Sequence, residues 1–176
     1  MRLIVKIFPV LLIVGGMLLT KTTQAQSRDN FKTKLRVAGA VLDPKKGKAL
    51  KGATVELRSG AKVLEKITTD KSATFYYEVD FDRVYTIYVI AEGYATQFVE
   101  VNTKGLNDQD KYYDYDYTGI NMRLTTFKEG LDYSLFDEPV KKIQFDAAQQ
   151  GFVLDEEHEK EFKDKQAKLA TEIMKK

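Results

Sequence analysis

The chain contains no cysteine, and this absence removes several kinds of site at once. It excludes a disulfide framework, thiolate catalysis and zinc held by cysteine, so the core must be stable through burial alone. No thiol follows the N-terminal apolar run, which also excludes a lipid-modified N-terminus.

Net charge is nearly absent as well. The sequence has 28 basic and 26 acidic residues, and residues 1–25 hold three of the basic ones and none of the acidic ones. Residues 26–176 therefore carry 25 basic against 26 acidic side chains. We expect no nucleic-acid partner, because phosphate binding requires a clustered basic excess.

The single histidine, His158, limits the metal and catalytic sites that the chain can build. A metal site on a helix needs a second ligand three or four residues away, and Phe162 cannot be one. Asp155 and Glu161 could ligate, but such neighbours arise by chance in so acidic a segment, which favours a solvated histidine. The sequence also has no glycine-rich phosphate-binding loop. We therefore expect no catalytic residue, no metal, no cofactor and no enzymatic activity.

Residues 1–25 have the features of a secretory signal peptide. Arg2 and Lys6 precede an apolar run of 13 residues, 7–19, and a small-x-small cleavage pattern ends at Ala25. A membrane-spanning helix needs about 20 apolar residues, which disfavours the alternative of an uncleaved anchor. We expect cleavage after Ala25, export to the periplasm or cell envelope, and no integral membrane segment in the mature chain. Residues 26–33 are predicted to be a flexible start.

Within residues 34–125, several short segments carry an apolar side chain at every second position, the pattern of β-strands with one buried face. In the first predicted strand, one face consists of Leu35, Val37, Gly39 and Val41. The alternation recurs to give seven strands, separated by turns that contain glycine. This spacing predicts a mainly β fold, a seven-stranded antiparallel sandwich.

Aromatic residues fall on both faces of the predicted strands. The core candidates, at inward positions, are Phe75, Tyr77 and Tyr85. Three more lie at outward positions, namely Tyr76, Tyr88 and Phe98. Three aromatic residues together suggest that the outer face is covered, either by the C-terminal segments or by a partner protein.

The pattern changes after residue 125. Residues 126–154 have scattered large apolar side chains, which predict an extended strap lying on the sandwich. Residues 155–176 predict an amphipathic helix, because opposite charges at i and i+4 accompany a narrow apolar stripe of Phe162, Leu169 and Ile173. Such a helix is unstable alone, so the stripe is a candidate docking surface.

The stretch from residue 37 to residue 101 resembles a known family. The matching segments are VAGAVLDPKKGKALKGATVEL, TTDKSATFYYEV and YTIYVIAEGYATQFVEV. They resemble the carboxypeptidase regulatory-like domain, a transthyretin-like (prealbumin-like) β-sandwich common in exported proteins of Bacteroidetes-type bacteria. That family has a glycine before the aromatic residue that opens the fourth strand, whereas this chain has Ser72-Ala73. The resemblance implies an accessory or docking module without zinc ligands.

Residues 107–119 form an insert rich in tyrosine and aspartate. The candidate partner or ligand contacts in it are Tyr112, Tyr113, Tyr115, Tyr117, Asp114 and Asp116. Tyrosine offers a large amphipathic contact area at low entropy cost, and carboxylates suit calcium. The spacing does not match a helix-loop-helix calcium loop, and the insert could also be a solvated connection whose alternate tyrosines pack on the sandwich edge. The competing enzymatic hypothesis is a glycosidase-like activity from Asp114 and Asp116.

Together these features predict a non-catalytic, exported envelope protein that acts as a protein-interaction or structural accessory module. Its expected partner is an unidentified envelope protein. The alternative is a carbohydrate- or small-ligand-binding module that uses the tyrosine-rich loop, residues 107–119.

Overall fold

Nine β-strands and one long helix make up residues 33–175, the part of the chain that this computed structural model describes. The predicted signal peptide, residues 1–25, and all but the last residue of the predicted flexible start, residues 26–33, lie outside the described residues. The elements are β1 Leu35–Leu42, β2 Thr54–Ser59, β3 Lys62–Thr68, β4 Thr74–Val79, β5 Val84–Ile90, β6 Gln97–Asn102, β7 Tyr115–Arg123, β8 Lys141–Asp146, β9 Gly151–Leu154 and α1 Glu156–Lys175.

The strands form two mixed sheets, one with the order β4-β1-β7 and one with the order β3-β2-β5-β6-β8-β9. β1 pairs in parallel with β7, and β6 pairs in parallel with β8, while the other pairs are antiparallel. The prediction of seven antiparallel strands is therefore wrong in count and in pairing. After β6 the chain crosses to the smaller sheet and starts β7 beside the start of β1, with Tyr115 opposite Leu35. Strands that start at the same end must run parallel.

Residues 126–154 are not an extended strap, because they supply two strands of the larger sheet. A short 3₁₀ helix, Ser134–Asp137, precedes β8, and β9 then returns antiparallel to β8. Asp146 closes the turn between them, since its Oδ1 accepts the N–H groups of Ala148 at 2.8 Å and Gln149 at 3.3 Å. β8 has only two apolar residues at alternate positions, Ile143 and Phe145, and β9 is half-buried at all four residues, so neither strand shows a clear alternation.

The core lies between the two sheets and is formed largely by the inward positions of their strands, with side chains of α1 and of the segment before β8 added. The predicted core residues Phe75, Tyr77 and Tyr85 are all buried, which confirms them. The hydroxyl of Tyr77 donates to the carbonyl of Val55 at 2.8 Å, so this buried polar group has a partner. Burial raises the pKa of Tyr77, which keeps the phenol neutral inside the core.

The turn before β4 takes a tight form without the glycine that the resembling family has there. Ala73 has φ of 55°, in the left-handed region that glycine adopts most easily. Asp70 holds this turn, because its Oδ1 accepts the backbone N–H of Ser72 at 2.8 Å and the hydroxyl of Ser72 at 2.6 Å. These hydrogen bonds stabilise a conformation that is unfavourable for alanine.

Helix α1 packs on the same domain. The side chain of Asp155 caps it by accepting the backbone N–H of His158 at 3.0 Å. Phe162 and Leu169 are buried, and the ring of Phe162 lies 5.9 Å from that of Phe136 in the 3₁₀ helix. Within residues 33–175, no helix has both the length and the apolar character needed to cross a membrane.

Candidate functional site

The tyrosine-rich insert places two of its tyrosines in solvent. Tyr112 and Tyr113 are each 64% exposed, at the end of a short 3₁₀ helix, Asp110–Tyr112. Asn107 starts this turn, since its Oδ1 accepts the backbone N–H of Asp110 at 2.9 Å. Lys111, the middle residue of this 3₁₀ helix, forms an ion pair with Asp82 at 2.8 Å. The exposed pair is therefore carried by a loop with defined hydrogen bonds.

The other two tyrosines of the insert do not join this pair. Tyr115 lies edge-on to the rings of Phe145 and Phe152 at 5.7 and 5.5 Å, and to that of Phe81 at 6.0 Å. It thereby links the smaller sheet to the β8–β9 hairpin. Tyr117 is partly buried in the same strand, and burial raises the pKa of both phenols. The four tyrosines thus divide into an exposed pair and a pair that packs at the sandwich edge.

Arg36 of β1 engages both aspartates of the insert. Its guanidinium donates to Asp116 at 2.6 and 3.0 Å in a two-point contact, and it lies 3.6 Å from Asp114. The hydrogen bond from Arg36 lowers the pKa of Asp116, and it raises that of the guanidinium. The backbone N–H of Lys34 also donates to Asp114 at 3.0 Å. In residues 33–175, no three histidine, cysteine, aspartate or glutamate side chains converge as a metal site would require.

His158 is not solvated as the sequence predicts. Its Nε2 lies 2.6 Å from the carbonyl oxygen of Pro139, and its ring is 6.2 Å from that of Phe162. A carbonyl accepts only, so Nε2 carries the proton and donates. The half-buried ring therefore links the helix to the segment before β8.

The apolar stripe of the helix is occupied by its own domain. Phe162 is 2% exposed, Leu169 is 6% exposed and Ile173 is partly buried against the core. Polar contacts add to this packing, because Gln166 donates to the hydroxyl of Thr125 at 3.0 Å. The stripe predicted as a docking surface therefore docks within the chain, which supplies the surface that such a helix needs.

The three outward aromatic residues lie on two different sheets. Tyr76 is on the outer face of the smaller sheet, where it is 50% exposed and its hydroxyl donates to Glu78 at 2.8 Å. Tyr88 and Phe98 face each other across β5 and β6 on the larger sheet, with ring centroids 4.8 Å apart. The expectation of a single covered face is therefore wrong, because the two sheets turn these side chains to opposite sides of the sandwich.

Sequence reasoning missed a second group of aromatic residues beside Tyr88 and Phe98. Phe127 and Tyr133 stack at 5.1 Å, and together with the sheet residues they line a surface pocket of about 520 Å³. Both lie in the irregular segment between β7 and β8. The signal in the sequence was the density of aromatic residues there, not their periodicity.

Comparisons with known proteins find similar solved structures but no matching protein family. No protein-family model matches the chain, and no curated protein matches it. A solved protein of unknown function from Bacteroides fragilis, described as membrane-associated, is 22% identical, with 56% of this chain and 30% of that chain covered and a TM-score of 0.41. Catechol 1,2-dioxygenase from Acinetobacter is 13% identical over 68% of this chain and 60% of that chain, with a TM-score of 0.43.

A dioxygenase domain from Streptomyces is also similar, at 14% identity over 55% of this chain and 82% of that chain, with a TM-score of 0.38. These matches correct the expectation that the chain is not an enzyme, because solved structures with a similar β-rich fold include dioxygenases. At 10–15% identity the likeness to these enzymes concerns the fold and transfers no activity. The resemblance to the carboxypeptidase regulatory-like domain has no family match behind it.

Proposed function

We propose that the chain is an exported envelope protein that acts as a protein-interaction or structural accessory module, with Tyr112 and Tyr113 at its contact surface. The observation that carries this proposal is their exposure, 64% for each, on a hydrogen-bonded loop. Tyrosine is enriched at the centres of protein interfaces because it buries a large area and loses little side-chain entropy.

The surroundings of the pair suit an interface rim. Two ion pairs lie nearby, Arg36 with Asp116 and Lys111 with Asp82. Paired charges at a rim add little affinity but help to select the partner and its orientation. The helix stripe is occupied within the chain, so the exposed tyrosine pair becomes the favoured contact.

Export from the cytoplasm and a prealbumin-like domain are part of the same proposal. Residues 1–25 support export to the periplasm or the cell envelope, since they combine a basic start, a short apolar run and a cleavage pattern. The segments of residues 37–101 that resemble the carboxypeptidase regulatory-like family support a prealbumin-like domain. Accessory roles are common in that family.

The proposal is tested by site-specific photo-crosslinking in living cells of the source organism. A photoreactive phenylalanine replaces Tyr113 in one strain and Tyr76, the matched exposed tyrosine on the smaller sheet, in another. We expect one discrete adduct with an envelope protein from position 113, and no such adduct from position 76. Adducts of equal yield at both positions, or none at 113, would contradict the proposal.

A further inference from the structure

We propose that the pocket beside β5 and β6 binds a neutral sugar ring. The pocket has a volume of about 520 Å³, within the range of about 300–1,000 Å³ typical of small-molecule sites. Its aromatic walls come from Tyr88 and Phe98 of the larger sheet and from Phe127 and Tyr133 of the following irregular segment. This site is separate from the tyrosine-rich insert, so the inference does not depend on the protein contact proposed above.

The aromatic rings of the sheet are held in place before any ligand arrives. Tyr88 stacks on Phe98 with 18° between the ring planes, and the guanidinium of Arg58 lies 4.2 Å from the centroid of Tyr88. Arg58 is fixed in turn by Glu56, which accepts from it at 2.5 Å. Binding therefore requires little ordering of these side chains, and a site organised in advance loses less affinity to ordering.

The second aromatic pair of the lining, Phe127 and Tyr133, is equally constrained. The hydroxyl of Tyr133 accepts the backbone N–H of Lys128 at 2.7 Å and donates to the carbonyl of Thr126 at 3.1 Å. Phe127 stacks on Tyr133 with 29° between the planes, and it remains 53% exposed. A large aromatic side chain held in solvent by such a support offers a surface for stacking.

The pocket also carries unused polar groups. The side chains of Asp137 and Thr96 line it and are exposed, and within residues 33–175 neither has a hydrogen-bond or ion-pair partner. The hydroxyl of Tyr88 has no hydrogen-bond partner there either. A carboxylate and two hydroxyls can accept from and donate to several ligand hydroxyls at once.

This combination selects one class of ligand. A purely apolar ligand would remove water from the Asp137 carboxylate without giving it a hydrogen bond, and an anion would be repelled by it. A quaternary ammonium group is best held by ring faces that surround it. Here the rings of the sheet pair lie 18° from parallel, and the stacked rings of the irregular segment lie within 29° of parallel. A sugar ring presents flat C–H faces to aromatic surfaces and hydroxyls to Asp137.

The test uses saturation-transfer NMR with methyl glycosides of glucose, galactose, mannose and N-acetylglucosamine, each at about 10 mM, a concentration that reveals weak binding. We expect at least one glycoside to bind, and we expect Phe127→Ala to weaken that binding by about tenfold or more. Asp137→Asn, a surface change that leaves the fold intact, should weaken it as well. The matched control Tyr113→Ala should bind like the wild type.

Three results would overturn the sugar site. These are no saturation transfer to any glycoside, binding that is lost in Tyr113→Ala but kept in Phe127→Ala, and choline binding that exceeds that of every glycoside. Circular dichroism of each variant shows whether it is folded. If Phe127→Ala does not fold, sugar binding by Asp137→Asn alone decides whether the pocket is the sugar site. Failure here leaves the crosslinking result at position 113 unaffected, because that experiment reports on a different surface.

Discussion

Gly39 occupies an inward position of β1 where no side chain fits. A Cβ at this position would lie 2.1 Å from the carbonyl oxygen of Ile120, 2.8 Å from the Cβ of Ile120 and 2.6 Å from Cζ of Phe75. The pairing of β1 with β7 shifts register between Val37 and Gly39, which brings the two backbones together at this point. We predict that Gly39→Ala destabilises the fold strongly.

The magnitude follows from these distances. Contacts of a Cβ below 3.0 Å essentially do not occur, so the backbone of β7 at Ile120 would have to retreat by about 1 Å. Overpacking of this kind costs roughly 1–3 kcal/mol, and disturbing a strand pair adds about 1 kcal/mol per hydrogen bond lost. The better strand propensity of alanine returns roughly 0.5–1 kcal/mol. The expected loss in the free energy of unfolding is about 3 kcal/mol.

The assay is urea unfolding followed by circular dichroism, with Gly60→Ala as the matched control. Gly60 has φ of 58°, and nothing lies within 4 Å of the place that a Cβ would occupy, so its substitution tests backbone strain alone, at about 1 kcal/mol. Gly39→Ala should lower the free energy of unfolding by about 3 kcal/mol, clearly more than the control. Equal losses in the two variants would refute the reasoning, because the close approach at Gly39 would then have no energetic consequence.

Substitutions at three further positions test the packing and the charges. Tyr115→Ala should cost about 3 kcal/mol in urea unfolding and Tyr115→Phe about 1 kcal/mol, because only the first removes the ring contacts. Phe162→Ala should cost about 3 kcal/mol in the same assay and loosen the helix, seen as faster amide hydrogen exchange there. For Glu159, burial acts to raise its pKa, but the hydrogen bonds from Lys141 and Lys163 outweigh burial and lower it. The ionised carboxylate therefore stabilises the fold above the unfolded pKa of about 4.3, and this stabilisation is lost as the pH falls through the lower folded value. Glu159→Gln should thus cost about 1 kcal/mol at neutral pH and almost nothing at about pH 3, measured by urea unfolding at both.

The strands that the sequence predicts correctly are those with a strong alternation. β4, with Phe75, Tyr77 and Val79 inward, and β5, with Tyr85, Ile87 and Val89 inward, show the expected burial at every second residue. Periodicity depends only on which face is buried, so it can be read locally. It carries no information on which strand lies alongside, and the parallel β1–β7 pair is accordingly missing from the prediction.

The charges of the insert show the same limit. Asp114 and Asp116 suggest a cation site when the insert is considered alone, because residues 107–119 hold four aspartates and a single lysine, Lys111. In the fold their partner is Arg36, 80 residues from Asp116 along the chain and brought opposite it by the register of β1 and β7. A two-point contact between guanidinium and carboxylate satisfies both groups. Asp116 is therefore one partner of an ion pair, and its other partner, Arg36, could be identified only from the strand topology.

The two proposed surfaces lie at the two ends of β7, and this makes them independent. Tyr112 and Tyr113 precede the start of β7 at Tyr115, whereas Phe127 follows its end at Arg123. Nine residues of strand span about 30 Å, so a ligand at one end does not contact the other. Effects of substitutions at that separation are usually additive. Adding Phe127→Ala to the strain with the photoreactive residue at position 113 should therefore leave the crosslink yield unchanged while sugar binding falls as in Phe127→Ala alone, since β7 is a rigid spacer between the two surfaces.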